Sequence, residues 1–280
     1  MSEHHSALVQ WAEDHLEAQV PEAGPEAPEY SVSVIIPSHR RVPIGLNAFR
    51  NQDCVSEVIV LANGSLKLPG EHVRQVRWQG HGKTRQDAVA LASSEFILFT
   101  VDDALPLGPG CVREMVEALV DGDYEAVTGR QLPWPETDRL TRERLHNWTP
   151  PGTHHQAWSQ VDHVFALYRK VTLLQHPLPD VPIGEDLHWS QNRRVGYVPT
   201  APVFHAHPRK AKALYERTKA LHAEHCRVGQ PPCVPHLGAV LLSLPSVLKA
   251  GLVYGPQEIP NQLAELLGQW RGAASASKSL

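Results

Sequence analysis

Cysteine and long apolar segments are both scarce in this 280-residue sequence. None of the four cysteines forms a C-x-x-C pair, so we expect no disulfide framework and favour a reducing cytosol. The apolar stretch 237–253 is interrupted by Pro245 and is too short to span a bilayer, so we expect it to pack on the core or lie in a membrane interface. The acidic N-terminus lacks an apolar run, which argues against a signal peptide.

Net charge is low, and it is unevenly distributed along the chain. A value of −4 at pH 7 argues against a nucleic-acid partner held by bulk electrostatics. Basic residues outnumber acidic ones in 209–227, which predicts either a solvated helix face or attraction to a diphosphate or an anionic lipid surface. We therefore expect a cytoplasmic protein, and peripheral contact with the inner face of the membrane stays open.

The order of apolar segments indicates the fold class. Continuous apolar runs bounded by turn signals predict buried strands, and helical patterns lie between them. The predicted strands are 31–36, 57–61, 72–78, 95–101, 124–128, 161–168, 196–199 and 202–204, and the predicted helices are 84–92, 112–120, 170–175 and 184–194. Strands that alternate with helices favour an α/β fold with a central, mostly parallel sheet flanked by helices.

Two carboxylates stand where a buried strand is predicted to end. Asp102 and Asp103 directly follow the apolar run that begins at Phe96. Open α/β sheets bind ligands beyond the carboxyl ends of their strands, and a divalent cation there needs hard oxygen ligands. The pair therefore indicates the metal and phosphate end of a nucleotide site, with a solvated turn before Pro106 as the alternative.

Four separated fragments share the order and spacing of one known family. They are 34–38, 58–65, 102–103 and 185–189. Together they resemble the family 2 glycosyltransferases, whose nucleotide-binding fold is called GT-A, over roughly residues 32–227. Within that family, segments 100–106, 205–207 and 215–217 are most similar to the branch of bacterial rhamnosyltransferases. The resemblance implies a hexosyltransferase that uses a UDP-, dTDP- or GDP-linked sugar donor.

On this resemblance the chain divides into three parts. Residues 1–30 are expected to form a short helix and a Pro/Glu-rich linker, and residues 229–280 a helical extension with a flexible tail. Residues 31–228 are expected to form the GT-A-like domain, with a donor half at 31–130 and an acceptor half at 131–228. Residues 131–160 are irregular and too long for a passive connection, so we expect them to shape the acceptor pocket.

The resemblance also implies a metal site. Asp103 matches the last acidic residue of the family's D-x-D motif, Val101 replaces the first, and Asp102 occupies the middle position on the donor side. His205 or His207 would complete the site, and both Mg and Mn suit this ligand set. The alternative for the two histidines is a polar strand end with no ligand role.

Catalysis is assigned by the same resemblance to the pair Glu185 and Asp186. Asp186 matches the family's catalytic base, and a carboxylate at a helix start is held ionised by backbone N–H groups. An inverting transfer follows, with Glu185 contacting the sugar or the acceptor. The alternative is that both residues only cap the helix.

The donor is expected at the loop that follows the first strand, formed by Pro37, Ser38, His39 and Arg40. Arg85 matches a family arginine that contacts phosphate or base, although a solvated surface position is the alternative for both arginines. The family usually places an aspartate at the end of the second strand to read the nucleobase. Here that position is Ala62, followed by Asn63, so the base remains open.

Tryptophans are the expected acceptor contacts, because their faces stack on sugar rings. Trp189 and Trp158 are the first candidates, and ordinary loop packing is the alternative. The acceptor is a glycan, a lipid-linked glycan or a small molecule. Two other functions stay open: a sugar-phosphate nucleotidyltransferase and a non-catalytic nucleotide- or glycan-binding protein. A zinc site is a weaker alternative, because the spacing of its candidate ligands matches no paired zinc pattern; they are His222, His225, Cys226, Cys233 and His236.

Overall fold

The computed structural model describes residues 30–39, 42–63, 73–205, 210–227 and 237–276. The helix and linker predicted before residue 30 lie outside the described residues, as do Arg40, His207, Cys233 and His236. By contact, the chain divides into two compact units, and the second comprises 137–141, 182–184 and 207–280. The main division in sequence falls near residue 207, and the domain bounds expected from the sequence stay a prediction.

The first unit is built on a mixed sheet whose first four strands are parallel, in the order β3-β2-β1-β4. These strands are β1 (Val32–Ser38), β2 (Val55–Asn63), β3 (Val73–Val76) and β4 (Phe96–Thr100). Strands β1 and β4 are almost wholly buried, as expected for strands covered on both faces. Two helices lie between the strands in sequence, α1 (Leu46–Arg50) and α2 (His81–Val89).

Beyond β4 the sheet continues in the order β8-β6-β9-β5, with β7 also paired to β9. Strand β8 runs antiparallel to β4 and β6, whereas β6 and β9 are parallel. The strands are β5 (Leu105–Pro106), β6 (Ala126–Leu132), β7 (Gln156–Trp158), β8 (Phe165–Arg169) and β9 (Val195–Phe204). The helices are α3 (Cys111–Asp121), α4 (Arg139–Trp148), α5 (Lys170–Gln175) and α6 (Glu185–Ser190). The α/β fold predicted from the apolar runs is confirmed.

Apolar side chains cover both faces of this sheet. Alternate residues of β1 point to opposite faces, so that Val34 and Ile36 pack with α3, whereas Ile35 packs with α2. Met115 of α3 lies in the first cluster and Val89 of α2 lies in the second. The first unit is therefore a sheet with a helix layer on each face.

Helices make up the described part of the second unit. They are α7 (Ala211–Arg227), α8 (Leu237–Leu242), α9 (Leu244–Tyr254) and α10 (Glu258–Ala276). Helix α7 packs against α10, and a Cβ at Gly272 would press on the backbone of Lys219 and Ala223. None of the described helices combines the length and apolar character needed to traverse a bilayer.

Three local features differ from the sequence predictions. The segment expected to be irregular contains α4 and β7, and α6 ends at Ser190 instead of Arg194. The two short strands expected at 196–199 and 202–204 form one strand, β9. Cys226 is disulfide-bonded, which its spacing did not predict, so its sulfur is not a zinc ligand. The described residues contain no cluster of three or more metal-ligating side chains.

Candidate active site

Asp102 and Asp103 lie at the carboxyl end of β4, next to the end of β1. The Ser38 hydroxyl donates to Asp102 Oδ2 at 3.1 Å, and the backbone N–H of Ile44 donates to the Asp102 carbonyl at 2.9 Å. Asp103 is only 6% exposed. A solvated turn therefore does not describe Asp103, because a carboxylate is buried only where other groups stabilise its charge.

His205 follows β9 and brings its imidazole to Asp103. Its Nε2 lies 3.8 Å from Asp103 Oδ1, which is too long for a hydrogen bond, and its Nδ1 lies 3.1 Å from Gln131 Oε1. The Gln131 amide nitrogen donates to Asp162 Oδ2 at 2.7 Å, so its oxygen is the end that accepts. Nδ1 is then the donor toward Gln131, and Nε2 is the ring nitrogen on the side of Asp103.

This arrangement fits a divalent cation. A carboxylate oxygen and an imidazole nitrogen are both common metal ligands, so the chemistry of this pair suits such an ion. Asp103 and His205 would supply two ligands, and phosphate oxygens and water would complete the coordination. His207, the other predicted histidine ligand, is outside the described residues.

Glu185 begins α6 and is buried in a charged cluster. Arg85 donates through one terminal nitrogen to Glu185 Oε1 at 3.1 Å, and His163 Nδ1 lies 2.8 Å from the same oxygen. Burial alone would raise the pKa of Glu185, but the His163 hydrogen bond and the Arg85 charge outweigh it and lower the pKa to about 2. Glu185 is therefore ionised at neutral pH.

The pKa of Asp186, the next residue, is shifted in the opposite direction. Its Oδ1 accepts from the N–H of Leu187 at 2.8 Å, and its Oδ2 accepts from the N–H of His163 at 3.4 Å. Burial raises the pKa of Asp186, and the nearby charges of Glu185 and Asp162 raise it further. A carboxyl group with a raised pKa and partial exposure is suited to accept a proton near neutral pH.

His163 joins the two ends of the site, and the sequence reasoning missed it. Its Nδ1 lies 2.8 Å from Glu185 Oε1 and its Nε2 lies 2.8 Å from the Tyr168 hydroxyl, so the ring links the carboxylate to the phenol. The preceding residue, Asp162, accepts a hydrogen bond from the Gln131 amide nitrogen, and the Gln131 amide oxygen contacts His205. One feature of the sequence could have indicated it: Asp162 and His163 interrupt an otherwise apolar predicted strand.

A scan against protein-family models and a search of curated protein sequences both find no match. Among solved structures, a mannosyltransferase from Pyrobaculum calidifontis, in complex with GDP-Man and Mn²⁺, covers 99% of this chain and 96% of its own. Its TM-score is 0.59 and its sequence identity is 17%. The chain has a GT-A-like fold.

Two further structures align less completely with the GT-A-like chain. GalNAc-T7 with UDP, GalNAc and Mn²⁺ has a TM-score of 0.48 at 11% identity, over 64% of this chain and 43% of its own. TarS from S. aureus has a TM-score of 0.42 at 15% identity, over 69% and 39%. These values are too low to add to the argument.

The donor loop of the GT-A-like sheet lies beside the acidic pair. Pro37 and Ser38 end β1, and β2 runs alongside, with Ser38 opposite Ala62 and next to Asn63. His39 follows and is exposed. These residues share one sheet edge with Asp102, and their contacts with a donor stay predictions.

Three residues with predicted roles have buried side chains, and their roles at the donor and the acceptor stay predictions. Arg85 is 3% exposed, and its guanidinium donates to Glu185. Glu185 is also 3% exposed, and it is held by Arg85 and His163. Trp189 is 4% exposed: its Nε1 donates to the His176 carbonyl, Tyr168 packs edge-on against it, and Arg193 covers one face.

The second tryptophan remains a candidate. Trp158 lies on β7, is partly exposed, and packs its ring on Tyr197 with centroids 4.8 Å apart. Its role at the acceptor stays a prediction.

Proposed function

We propose that this protein is a divalent-metal-dependent, inverting glycosyltransferase that moves a hexose from a nucleotide-sugar to an acceptor hydroxyl. One observation carries the proposal. Hydrogen bonds run from His205 through Gln131 to Asp162, and the N–H of the next residue, His163, donates to Asp186. These contacts link His205, which lies beside Asp103, to the Asp186 carboxylate, and they support a reaction that needs both a cation and a base.

Each group has a distinct task in this reaction. The acceptor oxygen bonds to the anomeric carbon while the bond from that carbon to the diphosphate oxygen breaks. Asp186 accepts the hydroxyl proton, and the electron pair leaves with the diphosphate. A cation held by Asp103 and His205 would supply charge neutralisation for that leaving group. Glu185, fixed by Arg85 and His163, raises the basicity of Asp186 through its charge.

The donor and the finer classification are part of the proposal. The structurally similar mannosyltransferase is complexed with GDP-Man and Mn²⁺, which supports a nucleotide-sugar and favours Mn over Mg here. Membership of family 2 and of its rhamnosyltransferase-like branch is supported by the order of the acidic motifs. Cytoplasmic location stays a prediction.

Product analysis tests the reaction type directly. The protein is incubated with UDP-, dTDP- and GDP-linked sugars and Mn²⁺, and phosphate products are resolved by chromatography. Release of nucleoside diphosphate is expected, and it should stop with a chelator and return with Mn²⁺. Asp103→Asn should raise the Mn²⁺ concentration needed for half-maximal release. Pyrophosphate release would indicate a nucleotidyltransferase, and binding without turnover a non-catalytic protein.

We also propose contact between the second unit and an anionic membrane surface. Leu241, Leu242, Leu248 and Leu252 on α8 and α9 are 59%, 84%, 59% and 88% exposed. Residues 207–280 carry nine Lys and Arg against four Asp and Glu, although the whole chain is net negative. Exposed leucines combined with local positive charge suit the surface of a bilayer that contains anionic lipid.

A further inference from the structure

A cavity of about 540 Å³ opens beside the carboxyl end of β6 in the first unit. Strand β6 contributes Arg130 and Gln131 to its wall, and α4 contributes Arg142, His146 and Asn147. Glu143 also lines it, so the lining contains two arginines and one glutamate, and Arg142 also donates to the Pro135 carbonyl. The wall is therefore polar and carries more positive than negative charge.

Arg130 is the unusual member of this wall. The residue is half-buried and its Nε is fully buried, yet that nitrogen makes no hydrogen bond with any described residue. Nor does any carboxylate in the described part of the chain lie within ion-pair distance of its guanidinium. A buried N–H group without an acceptor is costly, so Nε calls for an acceptor from outside the chain, and an anion is the strongest acceptor for a guanidinium.

Irregular strand pairing accompanies the position of Arg130. Gly129 pairs with Val198, but Arg130 pairs with Pro202, so β9 has three extra residues at this point. Gly129 permits the close approach, because a Cβ there would overlap the Phe165 ring. Such bulges occur next to active sites, where they redirect a side chain.

The cavity lies on the side of the site away from the donor loop. Strand β6 is separated from β1 by β8 and β4, which at strand spacing is about 14 Å. It is nevertheless next to the reacting end, because Gln131 lines the cavity and also holds His205. The cavity therefore adjoins the His205 end of the candidate site, on the side where an acceptor has room.

We infer that this cavity binds an anionic group, a phosphate or a carboxylate, on the acceptor substrate. The inference rests on the proposed function and adds to it a substrate class: an acidic or phosphorylated acceptor. Arg130 would offer its planar fork of N–H donors to two oxygens of that group, with Arg142 and Asn147 beside it. The anion would replace the missing partner of Arg130.

Paired sugar probes test the inference. Dissociation constants for glucose, glucose 1-phosphate and glucuronate are measured by ligand-observed NMR on the full chain, with the donor site saturated by GDP and Mn²⁺. We expect the two anionic probes to bind at least about ten-fold more tightly than glucose. Arg130→Gln should remove that preference and leave GDP affinity within about two-fold, and Arg130→Lys should keep part of it.

The control is Arg194→Gln, which removes a surface arginine that is 64% exposed and paired to Asp123. It should change none of the constants, and a melting temperature for each variant separates binding from folding. Equal binding of neutral and anionic probes overturns the inference. So does a loss of anion binding on addition of GDP, since the anion site would then belong to the donor. If none of UDP, dTDP and GDP binds but Arg130 still discriminates, the proposed function fails and the anion site stands.

Discussion

Asp186 is the residue whose substitution separates chemistry from binding. Asp186→Asn keeps the shape of the side chain but removes the proton acceptor, so transfer should fall by about 10²- to 10⁴-fold. Metal-dependent binding of nucleoside diphosphate should stay within two-fold. Initial rates and calorimetric titration measure the two quantities. Asp180→Asn, at an exposed loop position, should alter neither, and wild-type transfer in Asp186→Asn would refute the assignment.

The pH dependence of transfer follows from the environment of Asp186. Its pKa is raised mainly by burial, and the base works only when ionised, so kcat/KM should fall as pH drops through that raised value. The acid limb of the pH–rate profile should therefore lie above about pH 3.9, which is the usual pKa of an exposed aspartate. Initial rates between pH 4 and 8 locate it. A limb at or below pH 3.9 would mean that another group is the base.

Substitution of Arg85 should lower the stability of the fold. Arg85→Met leaves the buried Glu185 carboxylate without its guanidinium partner, which should cost about 3 kcal/mol at pH 7. Because the pKa of Glu185 is lowered to about 2 in the folded protein, its stabilisation is complete above about pH 4.3 and is lost as pH falls toward 2. The difference should therefore shrink in acid.

Urea denaturation of wild type and Arg85→Met at pH 7 and pH 3 measures that difference. A surface variant, Arg194→Gln, should lose less than about 0.5 kcal/mol at both values. An equal loss for Arg85→Met at pH 7 and pH 3 would contradict an ionic origin.

Positions in the site were predictable from the sequence, whereas burial was not. Asp103 and His205 come together as predicted, because both follow strands whose carboxyl ends meet at one edge. Arg85 and Trp189 occupy the right neighbourhood but face the core, and no local pattern distinguishes a buried arginine from an exposed one. The place of His163 in the site could not be predicted, because it depends on the Glu185 carboxylate and the Tyr168 hydroxyl that its ring contacts in the folded chain.

At the level of elements, the contact between α2 and the chain before α6 positions α6. Gly82 in α2 has no room for a Cβ, which would overlap the Pro179 carbonyl and press on Glu185. Gly82→Ala should therefore cost about 1–3 kcal/mol and lower kcat, because Glu185 and Asp186 must move together. Gly110→Ala, where a Cβ meets nothing within 4 Å, is the matched control.

Thermal melts and initial rates of the two glycine variants test this coupling. If Gly82→Ala melts and turns over like Gly110→Ala, the close packing of α2 has no influence on the site.

Whether an element was predictable depended on its buried face. The buried strands β1 and β4 were evident as apolar runs, because both of their faces are covered. Helix α4 was missed because none of its residues is buried, so the sequence has no apolar stripe to mark it.

For the whole molecule, the opposite signs of charge in the two parts of the chain predict where it meets a membrane. The double variant Leu248→Ser/Leu252→Ser should weaken binding to vesicles that contain phosphatidylserine by at least about ten-fold, since two exposed leucines are lost. Leu174→Ser, at a leucine on α5 that is 57% exposed, should have no effect. Vesicle sedimentation at two salt concentrations measures the apolar and the electrostatic contributions to binding. Equal binding of all three proteins would exclude this surface.

The ion pair between Arg85 and Glu185 also restricts how this sequence can change over evolutionary time. The two positions are a hundred residues apart, yet loss of either partner alone leaves a buried charge that the fold must carry. Replacement of both by apolar residues of similar volume removes that penalty. Among natural variants of this chain, the two positions should therefore be substituted together, as a correlated pair, more often than either is substituted alone.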